Sequence, residues 1–153
     1  MACSRRLHHQ QPDKLLKIPK APQVIVETLS DSQIKRVLSV IDCKKPKGFR
    51  DYCIILVLLN TGVRLSELVN LQIKDLDLER GFFKVMGKGA RERLMPFGAK
   101  VQAALWKYVH RLRPEPFHPN IGNLFLRSGG RPLSWDSDIQ AGQKLWSQGW
   151  NRG

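Results

Sequence analysis

Cys53 to Leu59 is an unbroken apolar run, and Thr61-Gly62 closes it. A helix that is apolar almost all the way round belongs in an interior. The segment from about Phe49 to Leu59 is therefore predicted to be the central buried helix, with Gly62 as its left-handed stop. The run is far too short to cross a bilayer. The remaining elements have to be arranged as cover for this helix.

Upstream, Ser30 and Gln33 form a capping-box pattern, Leu29 is placed to staple against Ile34, and Ile34, Val37, Leu38 and Ile41 recur at helical spacing to about Asp42. A basic, proline-containing connection, Cys43 to Gly48, leads into the central helix. Beyond Gly62 a shorter helix, Val63 to about Leu71, carries Leu65, Leu68 and Val69 along one side. The period then changes. Ile73 to Leu78, Phe82 to Met86 and Glu92 to Phe97 read as three strands joined by turns at 79–81 and 87–91, which predicts a three-stranded antiparallel sheet. Ala99 to about Leu112 is amphipathic again. Short extended pieces are expected at 124–126 and 131–133 around Gly129-Gly130, and a last helix from Ser134 to about Trp146. Residues 1–28 mix basic and polar side chains with Pro12, Pro19 and Pro22 and show no helical period; they read as a basic linker or arm, leaving 29–153 as one domain. The fold class is α+β, mainly α: a helical bundle with a small three-stranded antiparallel sheet.

Charge sets the chain apart from an ordinary globular protein. Lys and Arg number 26 against 13 Asp and Glu, a formal net charge of +13. Such an excess points to a polyanionic partner, nucleic acid or an acidic membrane surface, although a merely basic protein shares it. Cys3, Cys43 and Cys53 have no paired spacing, which argues against a disulfide framework or zinc site and for a reducing compartment. No apolar stretch follows the basic N-terminus as it does in a signal peptide. The expectation is a soluble, cytoplasmic protein without metal, small-molecule cofactor or membrane partner.

Two cations stand in unusual settings. Arg64 follows the Thr-Gly break and opens the third helix, with Glu67 one turn on; alone, this is an ordinary surface pair. Lys88 lies between two glycines in the second turn of the sheet. The missing Cβ bulk lets that backbone approach another closely and present an ammonium at its tip, which suits a phosphate, though an ordinary basic hairpin would look similar. It is no Walker loop, since the preceding glycine spacing and the following Ser or Thr are absent. Arg91 and Arg93 extend the positive rim, with Lys45, Lys47 and Arg50 elsewhere.

Together these pieces carry more information than any one alone. Thr61-Gly62-Val63-Arg64-Leu65-Ser66-Glu67-Leu68 resembles the TGxRxSEL box of the tyrosine recombinase (phage integrase) family, most closely its Xer-like bacterial members. Val85, Gly87, Lys88, Gly89, Arg93 and Pro96 resemble that family's VxGKGxKxRxxP hairpin, with Arg91 where the pattern often has lysine. The resemblance covers roughly Leu29 to Leu133. It implies part of a recombinase catalytic domain, double-stranded DNA as partner, and other recombinase protomers as further partners. Members cut DNA by attack of a tyrosine on the scissile phosphate. Arg64 and Lys88 are then the catalytic residues: Arg64 holds the non-bridging oxygens, a task suited to a guanidinium fork, and Lys88 protonates the departing 5′ oxygen. Glu67 supports the site by orienting the arginine, and Arg91 and Arg93 contact the DNA backbone.

The departures matter as well. The family's second box, His-x-x-Arg, its later His or Trp and its nucleophilic Tyr are not found in order. His110 to Arg113 spells His-x-x-Arg but precedes the LFLRSGGRPLS stretch that should come before it. Tyr52 precedes the first box, and Tyr108 lies on the same helix as His110. The expectation is a truncated catalytic domain that binds DNA and is inactive alone, with part of the Ile54–Leu59 helix left uncovered. Competing readings are a non-catalytic DNA-binding protein that interferes with a full-length recombinase, and a helix-turn-helix regulator in which the Gly-Lys-Gly hairpin would have no role.

Overall fold

The computed structural model describes residues 30–87 and 92–134. Helix α1 (Asp31–Val40) is capped by Ser30. Ser30 Oγ accepts the Gln33 N–H at 3.3 Å and Gln33 Oε1 accepts the Ser30 N–H at 2.8 Å, the reciprocal box that the sequence predicts. Its stripe of Ile34, Val37 and Leu38 is half-buried, so α1 lies along the outside of the core. Leu29, the expected staple, lies outside the described residues.

Helix α2 (Pro46–Thr61) begins earlier than Phe49 because Pro46 occupies the first helical position, where its fixed φ is helical and its missing N–H is not needed. It stops at Gly62, which adopts φ 63° and returns its N–H to the Leu58 carbonyl at 3.0 Å. Phe49, Arg50, Cys53, Leu56 and Val57 are buried, Ile54, Ile55 and Leu58 are half-buried, and Leu59 is exposed. The helix is central, but its burial is one-sided. Burial pushes the Cys53 thiol up to about 12, and its Sγ contacts the Ala104 carbonyl, which makes it a packing group rather than a nucleophile.

Helix α3 (Leu65–Val69) is shorter than the predicted Val63–Leu71. The chain beyond it is drawn into long-range pairing instead. The Leu71 carbonyl accepts the Leu124 N–H at 2.7 Å, and the Ile73 N–H reaches the Gly122 carbonyl at 2.9 Å. A single 3-10 turn, Ile73–Asp75, then consumes most of what the alternation suggests as a strand, so β1 is only Leu76–Asp77. Strands β2 (Phe82–Met86) and β3 (Glu92–Pro96) complete an antiparallel sheet in the order β1-β2-β3, with Val85 opposite Arg93 and Lys84 opposite Leu94. Phe83 and Val85 face the core with Arg93 and Met95 beside them; Lys84, Met86 and Leu94 face solvent.

Helix α4 (Ala99–Lys107) continues into a π-turn, Tyr108–Leu112, where the sequence suggests one regular helix. The Arg113 N–H closes that wider ring on the Tyr108 carbonyl at 2.7 Å. Helices α2 and α4 pack on each other, and Leu124, Phe125 and Leu126 fill the space beside them, all essentially inaccessible. Beyond the Leu124 N–H bond to the Leu71 carbonyl, side chains take up part of their backbone. Arg113 donates to the Asn123 and Leu124 carbonyls at 2.7 and 3.1 Å, and Tyr108 Oη accepts the Leu126 N–H at 3.3 Å. Arg50, expected on the positive rim, is instead buried: Nη1 donates to the Leu126 carbonyl at 3.1 Å, and Nε and Nη2 fork onto Asp51 Oδ1 at 2.8 and 2.6 Å. The short extended pieces appear as isolated bridges, Gln72 to Asn123 and Leu126 to Pro132, around a turn in which Gly130 has φ 72°. The arm at 1–28, the turn at 88–91 and the last predicted helix lie outside the described residues. No helix among those described is long and apolar enough to cross a membrane.

Of the three positive-φ glycines among the described residues, Gly62, Gly81 and Gly130, the first and last differ most in what surrounds them. A Cβ at Gly62 meets nothing within 4 Å, whereas one at Gly130 drives into the Glu115 carbonyl oxygen and the Phe117 amide. Gly62→Ala should therefore lose about 1 kcal/mol, the left-handed penalty alone. Gly130→Ala should lose clearly more, about 2 kcal/mol or above. Urea unfolding of both variants is the measurement, and equal losses would contradict this packing.

Candidate functional site

Arg64 is the N-cap of α3, with extended backbone at φ −67° and ψ 142°. An arginine offers no side-chain acceptor for the free N–H groups of a first turn. The cap is built from the other end: Glu67, three residues on, reaches back so that Oε2 accepts the Arg64 N–H at 3.0 Å, and its negative charge sits where a helix start favours one. The same carboxylate then collects two guanidinium groups. Arg64 Nη1 donates to Oε1 at 3.1 Å, and Arg93 Nη2 donates to Oε2 at 2.7 Å. Arg93 comes from β3, on the core face of the sheet.

Exposure divides the three. The Glu67 side chain is 10% exposed, Arg93 39% and Arg64 67%. Burial pushes the Glu67 carboxyl up, but the N–H and guanidinium of Arg64 and the charges of Arg93 and Arg64 outweigh it and hold the group below its ordinary range. Arg93 Nε is sealed from solvent with no acceptor among the described residues. A cavity of about 280 Å³ opens beside the cluster, lined by Ser66, Glu67, Asn70 and Lys84 among others. A carboxylate bridging two cations leaves an excess of positive charge, and the most exposed cation is a planar fork matched to the oxygens of a phosphate.

Of the residues singled out from sequence, Arg64, Glu67 and Arg93 come together here. Lys88 and Arg91 lie outside the described residues; Met86 and Glu92, which flank the connection that contains them, are paired across the sheet. Pairing of Arg93 with Glu67 was not read from sequence, although a signal existed. Arg93 is two residues from Met95, so strand alternation puts both on the inner face. His110 and Arg113 do not converge as a box: His110 packs on the exposed Trp106, ring centroids 4.9 Å apart, while Arg113 turns inward to carbonyls. Tyr108 is fully buried, and burial raises its hydroxyl above the ordinary value; burial is also the main cause of a raised Tyr52.

Comparison with known proteins supplies the family. The model of the phage integrase family matches residues 27–145. Tyrosine recombinase XerD of Staphylococcus saprophyticus is 34% identical over 126 residues, 82% of this chain and 43% of that protein. XerD of Staphylococcus haemolyticus is 35% identical over the same shares. The chain thus spans less than half the length of these curated relatives. Among solved structures, XerA recombinase superposes with a TM-score of 0.69 at 27% identity, over 89% of this chain and 47% of that one. The Tn1549 transposon integrase in complex with transposon right end DNA gives 0.64 at 25% identity, over 99% and 53%. A family match that takes in every described element from α1 to the π-turn, with identity of about a third to two relatives, makes this chain a member of the phage integrase family of tyrosine recombinases.

Proposed function

We propose that this chain serves site-specific DNA recombination in the cytoplasm, contributing the phosphate-holding part of a recombinase active site. The observation that carries the reading is Arg64: an exposed guanidinium at a helix start, held by a nearly buried carboxylate that a second arginine shares. In that role Arg64 takes the non-bridging oxygens of the scissile phosphate and stabilises charge in the pentavalent transition state. Lys88 is the general acid for the leaving 5′ oxygen, Glu67 keeps Arg64 in orientation, and Arg91 and Arg93 border the DNA backbone. The DNA complex of the Tn1549 transposon integrase supports duplex DNA as the partner, and other recombinase protomers are further partners.

The 153 residues by themselves are proposed to bind and not to cut. Tyr108 is sealed in the core with its oxygen engaged by Leu126, and Tyr52 is half-buried on α2 ahead of Arg64. Both are poor candidates for in-line attack, which favours backbone binding without cleavage.

Binding of the chain to a short duplex, followed by fluorescence anisotropy, should weaken steeply with added salt. Arg64→Ala should lower the slope of log affinity against log salt by about 0.9, the loss of one phosphate contact. A salt-independent response would remove the DNA reading. A denaturing gel of the chain incubated with nicked duplex should show no covalent adduct; an adduct would show that a nucleophile is present after all.

Acid should act on Glu67. Its carboxyl is held below the ordinary range in the folded chain, so it favours folding above the unfolded value, and that contribution fades as pH falls through the folded one. Thermal melts of the parent should therefore exceed those of Glu67→Gln at neutral pH, with the gap closing in acid. A gap that persists into strong acid would show that ionisation of Glu67 is not what stabilises the cluster.

A further inference from the structure

We propose that Arg93 is a positioning residue for the phosphate site: by taking up the charge of Glu67 from the sheet, it leaves the cation of Arg64 available to an anion. The inference rests on the phosphate-holding role of Arg64 and reassigns Arg93 from backbone contact to internal partner. Two guanidinium groups and one carboxylate meet here, so the cluster has one positive charge in excess.

Geometry says which arginine is committed. Glu67 Oε2 is held at 2.7 Å by Arg93 Nη2 and at 3.0 Å by the backbone N–H of Arg64, which stays in place wherever the Arg64 side chain goes. Among the described residues, Oε1 meets only the tip of Arg64, at 3.1 Å, from a side chain that is 67% exposed and therefore screened by water and salt. Arg93 is confined to the inner face of the sheet, its Nε shut away from solvent. When Arg64 swings to a phosphate, Glu67 keeps both anchors on Oε2 and stays compensated. Without Arg93, the nearly buried carboxylate has the Arg64 guanidinium as its remaining side-chain cation among the described residues, and a phosphate must compete with Glu67 for it.

The test uses the full chain and a short DNA duplex of arbitrary sequence. Arg93→Met is expected to lower the salt slope by about 0.9, the signature of one lost phosphate contact, and Arg64→Ala in that background is expected to lower it no further. Adding Glu67→Gln to Arg93→Met is expected to restore the slope, because the competing carboxylate is gone. If Arg64→Ala and Arg93→Met each subtract their own share, Arg93 touches the backbone directly and the proposal is overturned; it is equally overturned if Arg93→Met leaves binding unchanged. Arg93→Gln, with the same expected outcomes, replaces Arg93→Met should the latter not fold. A DNA-free readout separates this proposal from the phosphate reading. In an NMR titration of the Glu67 side-chain carbon, Arg93→Met is expected to raise the midpoint, and an unmoved midpoint overturns the proposal whether or not the chain binds DNA.

Discussion

A buried stretch of chain without regular secondary structure has to find partners for every backbone polar group, and the structure depends on how residues 122–126 do so. Leu124, Phe125 and Leu126 are fully enclosed, where an unpaired N–H or C=O costs about 1–3 kcal/mol. Their partners come from four places in the chain: the Leu71 carbonyl after α3, Arg50 on α2, and Tyr108 and Arg113 at either end of the π-turn. Satisfying this one segment ties α2, α3 and the end of α4 together. It also explains why α3 ends early and why two arginines of a strongly basic chain are turned toward its interior.

The site sits at the start of α3 and obeys a related rule at a smaller scale. A nearly buried carboxylate is stable as an anion only with donors around it, and Glu67 has three, from a helix start and from a strand. The short helix and the sheet are thereby joined through a group that also faces the place where Arg64 meets solvent. Packing and charge here are the same contact. The exposed guanidinium owes its place to an anion that the core face of the sheet helps to hold.

Much of this was legible in the residues. The Ser30 box, the Gly62 stop, the strand bounds at Phe82–Met86 and the pairing of Arg64 with Glu67 follow from local spacing, and local spacing is what sequence displays. What escaped is long-range. Nothing near Leu71 announces Leu124, so α3 was drawn too long, and the 3-10 turn at Ile73 was hidden beneath an alternation that a strand shares. The charge of Arg50 suggests a rim residue, but it stands three and seven residues before Cys53 and Val57 on the buried side of α2. For Arg93, likewise, alternation with Met95 places the side chain on the inner face of the sheet, within reach of Glu67. In both cases the period contained the answer.

The π-turn has one more consequence. An α-helix turns about 100° with each residue, so the wider ring at Tyr108–Leu112 delays the rotation and delivers Arg113 facing the Asn123 and Leu124 carbonyls. Of the four residues between Tyr108 and Arg113, Val109 and Leu112 pack against the core, and their number matters as much as their kind. His110 and Arg111 stand in solvent and bear replacement, but a chain shortened there by one residue turns its arginine away from the segment it secures. The interior is in this sense measured by counting as well as by the kind of side chain that fills it.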